Sequence, residues 1–152
     1  MELDIDLSEI NALIGNLSRA PQAIQQEFQK TGQTVGFKLQ TVAVQEAPVD
    51  KGILRANIGP PVTTIGGGAT TKLTSHADYS KWVHDGTRPH VIRPSAKKAL
   101  FWPGAEHPVR RVNHPGTTAN PYMKRALDKA RAQIMQLYAD MARRVAQKAL
   151  SS

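Results

Sequence analysis

The chain contains no cysteine, which excludes a disulfide framework, a thiol nucleophile and a thiolate metal site, and suits a reducing compartment. No apolar run approaches the length of about 18 residues that marks a membrane span. The opening Met1, Glu2, Leu3, Asp4, Ile5, Asp6 lacks the basic and then apolar layout of a signal peptide, so neither membrane insertion nor export by a leader is expected. Internal repeats and low-complexity segments are also missing. What is present is 152 residues, 40% of them apolar and 21% charged. That is enough for a single hydrophobic core and too apolar for a disordered chain. A single domain over 1–152 is the expectation, with a helical part over 1–47, a β-rich part over 48–118 and a C-terminal helix over 119–152.

Acidic residues are scarce outside the first third. Residues 1–50 carry 3 Lys/Arg against 7 Asp/Glu, and residues 51–152 carry 17 against 5, so the formal +8 divides into −4 and +12. A basic two-thirds fits contact with nucleic acid or an acidic protein surface, and the acidic segment complements a neighbouring copy. A solvated basic surface is the plainer reading.

Leu3, Ile5 and Leu7 alternate with Glu2, Asp4 and Asp6 at the period of a half-buried strand. Ser8 then reads as an N-cap for a short helix with Ile10, Leu13, Ile14 and Leu17 on its apolar face. Pro21 restarts the helix. Ile24, Phe28, Val35, Leu39 and Val42 recur at helical spacing until Pro48, with Gly32 and Gly36 each weakening the segment by roughly 1 kcal/mol. The middle is cut by glycine and proline into strand candidates at 54–58, 62–65, 70–74, 79–84, 90–93, 100–102 and 109–112. Connections this short require mostly antiparallel pairing. Gly66, Gly67 and Gly68 form a flexible link, and Gly59, Pro60 and Pro61 interrupt any strand. Asn120 and Pro121 read as N-cap and first helical residue of a last helix. Its apolar stripe is Met123, Leu127, Ala130, Ile134, Leu137, Met141 and Val145. Extended to Leu150 it is roughly 45 Å long, which leaves part of it for another subunit.

Motifs for chemistry are sparse. His84 and His90 flank a turn, as do His107 and His114, but neither pair has a zinc-ligand spacing. No G-x-S-x-G elbow occurs and the glycine run is not a phosphate loop. No cofactor and no metal are expected. His84 beside Asp85, with Arg110 and Arg111, supplies the residue types of a metal-independent ribonuclease. Trp82, Trp102, Tyr79 and Phe101 are candidates for base stacking, although aromatics on strands more often belong to a core.

Three blocks carry a resemblance. Residues 47–58 include Pro48, Asp50, Gly52, Leu54 and Arg55 after a long helix; residues 77–92 include Tyr79, Trp82, Val83, Gly86 and Thr87; and Val112, Asn113, His114, Pro115 and Gly116 precede Asn120, Pro121, Tyr122 and Met123. In order and spacing they resemble the bacteriophage tail-component family of neck or tail-completion proteins, which join head to tail in long-tailed phages. The chain departs from that pattern at His84, where many members carry glutamate. Read physically, the blocks are turn chemistry. Pro48 stops the helix, Asp50 and Gly52 turn the chain, Arg55 follows on a strand, Gly86 and Thr87 close the strand holding Tyr79 and Val83, and Pro115 with Gly116 turns toward the last helix.

The resulting expectation is an α+β fold, with N-terminal helices, a small mostly antiparallel sheet and a long C-terminal helix packed on it. The resemblance implies a structural virion protein, assembled in the host cytoplasm as a hexameric ring at the head-proximal end of the tail, as completion factor or terminator. The implied partners are copies of itself and neighbouring neck, tail-tube and head-closure proteins. Genome DNA would cross the lumen without sequence-specific contact. Val62, Ile65, Gly66, Gly67 and Gly68 are the candidate assembly arm. A small basic nucleic-acid-binding protein or ribonuclease toxin is the alternative.

Overall fold

A computed structural model describes residues 2–4, 22–65 and 69–150. The elements are β1 (Glu2–Asp4), α1 (Gln22–Glu46), α2 (Ile53–Ala56), β2 (Val62–Ile65), β3 (Ala69–Thr74), α3 (Ser80–Asp85), β4 (His90–Ile92), β5 (Val112–His114) and α4 (Tyr122–Leu150). The fold is α+β. The Ser8 cap, the helix from Ile10 to Leu17 and the glycines Gly66, Gly67 and Gly68 lie outside the described residues.

The chain forms two compact units, one of residues 1–80 with 122–152 and the other of residues 81–121. In the first, β1, β3 and β2 form an antiparallel sheet with β3 in the centre. Leu3 lies opposite Leu73, and Thr63 opposite Thr71. Helix α1 packs on both the sheet and α4, which makes it the middle of the unit. Its buried face is Ile24, Phe28, Thr31, Gly32, Val35, Gly36, Leu39 and Ala43. Val42, expected in that stripe, is half-buried, and Ala43 takes the inward position. From α4 come Tyr122, Met123, Ala126, Ala130, Ile134, Tyr138 and Met141, and from the sheet Ala69, Thr71 and Leu73. Each large apolar side chain buried here contributes about 1.5–3 kcal/mol.

Gly32 and Gly36 stand where α1 meets the sheet. A Cβ at Gly32 would collide with the Thr63 methyl and sit 3.0 Å from Thr71 Oγ1, and one at Gly36 would lie 2.6 Å from Pro61 Cβ. Their cost in helix propensity is offset by this close approach. It lets the buried Thr71 hydroxyl donate to the Gly32 carbonyl at 3.2 Å and share a hydrogen bond with Thr63 Oγ1 at 3.1 Å. Burial pushes the Tyr122 and Tyr138 phenols above their ordinary 10.0. Both stay neutral, as a core tyrosine should.

The second unit is built on the β4–β5 pair, His90 opposite His114, with isolated bridges Thr87 to Thr117 and Leu100 to Val109. The candidate strands at 100–102 and 109–112 therefore shrink to that one bridge and the start of β5.

Two expected strands are helical. Residues 54–58 form the single turn α2 followed by a bridge from Ile58 to Ser75. Gly52, at φ 76°, aims the chain into the turn, and the Asn57 side chain closes it by donating to the Ile53 carbonyl at 2.9 Å. Residues 79–84 form most of α3. Ser80, Val83 and His84 are its less exposed positions, a helical spacing, so Tyr79 and Val83 are neighbours one turn apart and share no sheet face. Gly86, at φ 72°, follows as the left-handed residue ending that helix. Thr87 then enters its bridge, so the expected strand-closing turn is a helix terminus.

Candidate assembly surface

The first sequence block forms a corner that finishes α1. The helix's last carbonyls have no partner within it, and arginines brought from elsewhere supply them. Arg55 donates from Nε to the Ala47 carbonyl at 3.0 Å and from Nη2 to that of Gln45 at 3.3 Å, and Arg125 Nη2 donates to that of Glu46 at 3.3 Å. Arg55 thus sits on α2, not on the expected strand, and ties the corner back to the helix. Leu54 is buried beneath it while Pro48 and Asp50 are exposed.

Charge also clamps α1 to α4 at both ends. Glu27 receives Arg144 Nε at 3.0 Å, and Glu46 receives Arg125 Nε at 3.1 Å together with Lys129. The Lys129 and then the Arg125 hydrogen bonds hold the Glu46 carboxyl below its ordinary 4.5. The folded chain therefore binds this proton less tightly than the unfolded chain. The associated stability is complete above pH 4.5 and is lost as pH falls through the lowered folded value. Glu46→Gln should flatten that part of the acid limb, giving a smaller fall in Tm between about pH 5 and 3 than the parent shows. Equal falls would mean the pair contributes nothing.

Two of the surfaces open among the described residues bear on assembly. The first is β2, an edge strand without a charged residue, in which Val62 is 56% and Ile65 40% exposed. The Gln29 side chain donates to the Thr63 carbonyl at 3.4 Å; the rest of an uncharged edge is a template for pairing with another chain. The second is the unit of residues 81–121, where no residue is buried. Trp82, Phe101 and Trp102 are 57%, 67% and 45% exposed, so the expectation that these aromatics form core is overturned. Their runs are too short and too broken by glycine and proline to build an apolar face. The same unit holds seven Lys/Arg against Asp85 and Glu106, a net +5 of the chain's +8.

Three of the four histidines in this unit, His84, His90 and His114, have local partners. His84 Nδ1 lies 2.7 Å from Asp85 Oδ1. His90 and His114 stack across the ladder with centroids 5.0 Å apart; His90 Nδ1 donates to the Arg88 carbonyl, and His114 Nδ1 accepts the Gly116 N–H. Arg111 is held by Asn113 Oδ1 at 3.1 Å. Among the described residues no three potential metal ligands converge, and no helix is long and apolar enough to cross a membrane. Gly86 and Gly116 lie on either side of the Thr87–Thr117 bridge, each pressed against the opposite backbone. Pro115 is exposed beside Gly116, and Pro121 directly precedes α4, which starts one residue later than expected.

A family model described as "Bacteriophage HK97-gp10, putative tail-component" matches residues 11–86, half of the 152-residue chain. The chain belongs to this phage tail-component family. The match takes in α1, the Arg55 corner, β2, β3 and α3, and so the first block and the second as far as Gly86. The third block lies beyond it. No curated protein and no solved structure matches the chain. Membership makes the protein a phage tail component and places it in the virion.

Sequence reasoning missed the arginine caps on α1 and the Glu27 and Glu46 clamps. The Arg55 partners lie 8 and 10 residues away across a turn and the α1–α4 partners 79–117 residues apart, so neither leaves a periodic pattern.

Proposed function

We propose that this tail component is a neck or tail-completion protein that assembles as a ring at the head-proximal end of the tail and helps join tail to head. The observation that carries this reading is the open edge of β2, whose Val62 and Ile65 face solvent in the single chain. Neighbouring copies pair along it. Of the seven carboxylates in residues 1–50, Glu27 and Glu46 are used within the chain. Asp50, exposed beyond the end of α1, is left to meet the exposed Lys124 of an adjacent copy. Genome DNA passes through the lumen without sequence-specific contact.

Hydrogen exchange at residues 62–65 tests the arm. At the alternate amides that do not bond β3 it should be fast in free protein and strongly slowed in assembled particles. Equal, strong protection in both would assign β2 to the monomer's own fold and remove its assembly role.

The role is non-catalytic. The His84–Asp85 pair joins adjacent residues, and no nucleophile motif accompanies it. Replacing both by alanine should leave any nucleic-acid cleavage by purified protein unchanged. Loss of a robust activity on that double change would favour a ribonuclease.

A further inference from the structure

Residues 81–121 have hydrogen-bonded ladders and no core. Thr87 and Thr117 exchange backbone hydrogen bonds, as do Leu100 and Val109, yet no side chain between Lys81 and Pro121 is buried. Both of the chain's tryptophans are here, with Phe101 and Val91 also exposed. A segment of this kind is completed by surface from outside. Interface centres favour Trp, Phe and Arg, and this unit combines exposed Trp82, Phe101 and Trp102 with Arg88, Arg93 and Arg110.

We infer that residues 81–121 are a docking unit for an acidic protein surface on the adjoining tail structure, with the aromatics at the centre of the contact and the cations at its rim. The inference rests on the neck assignment and names the partner chemistry it needs. The net +5 asks for an acidic rim. The missing core asks for apolar surface, which a phosphate backbone lacks. A second copy fits poorly, because the chain as a whole carries +8 and offers this basic unit a mostly like-signed surface.

The full chain would be co-sedimented with tails assembled without it, in parallel with Phe101→Ala/Trp102→Ala and Arg110→Glu/Arg111→Glu. Both double variants should bind at least about tenfold more weakly, with binding by the parent weakening as salt rises. Because the substituted residues are exposed, circular dichroism and melting should match the parent. Variants that bind like the parent would overturn the docking unit while leaving the neck assignment standing. Failure of the parent itself to bind would overturn both. Duplex or single-stranded DNA oligonucleotides quenching the parent's tryptophan emission, with that quenching lost in the variants, would replace the protein partner with nucleic acid. Self-association abolished by the same variants would replace it with a second copy.

Discussion

Gly36→Leu is expected to destabilise the first unit by about 2–3 kcal/mol, although leucine is much the better helix former. The first atom added at Gly36 falls 2.6 Å from Pro61 Cβ and 3.0 Å from Pro61 Cγ and Thr71 Cγ2. Pro61 is a closed ring that has no rotamer to retreat to, and the Thr71 hydroxyl is engaged with the Gly32 carbonyl. The helix must therefore lift off the sheet and expose part of the face that includes Val35 and Leu39. Thr34→Leu, on the exposed side of the same helix, should change stability by less than about 0.5 kcal/mol. Urea unfolding distinguishes the two by midpoint at constant slope. A neutral or stabilising Gly36→Leu would show that α1 does not approach the sheet this closely.

Gly116→Ala should open the second unit without loosening the first. Gly116 has φ 88°, a conformation that costs an L residue about 1–2 kcal/mol. Its Cβ would also collide with the Thr87 carbonyl oxygen and lie 3.0 Å from the Arg88 carbonyl carbon. Those are backbone atoms, so no side-chain rotation relieves the clash. The casualty is the Thr87–Thr117 bridge, with N–H to carbonyl bonds of 3.0 and 3.1 Å and paired hydroxyls at 3.1 Å. Amide exchange at Thr87 and Thr117 should accelerate by at least about 30-fold, the equivalent of about 2 kcal/mol. Leu39 and Leu73 should exchange as before. Unchanged rates at the two threonines would show that the glycine is dispensable to this ladder.

The long elements were legible because period and punctuation agree. Met123, Ala130, Ile134 and Met141 mark α4 by spacing alone, Pro48 marks the end of α1, and the β-branched run Val62–Ile65 before three glycines marks a hairpin strand. The short helices α2 and α3 were not legible. Four to six residues give too few turns for a helical period to show, and Ile53, Trp82 and Val83 have strand composition. At Gly32 and Gly36 the propensity was read correctly and its purpose was not, since only the placement of Thr63, Pro61 and Thr71 shows why a side chain is excluded. The open surfaces were partly legible. Val62 and Ile65 were named as an arm, whereas Trp82, Phe101 and Trp102 read as core because sequence cannot show that residues 81–121 have no apolar layer to cover them.

Electron cryo-microscopy of the neck of the mature virion tests the central claim most directly. The expected map holds a closed ring of this chain at the head-proximal end of the tail. In it β2 of each copy lies against its neighbour, and Trp82, Phe101 and Trp102 are buried on an adjoining tail protein. Absence of the chain from the neck, or a lone copy there with β2 and these aromatics open to solvent, would contradict the account.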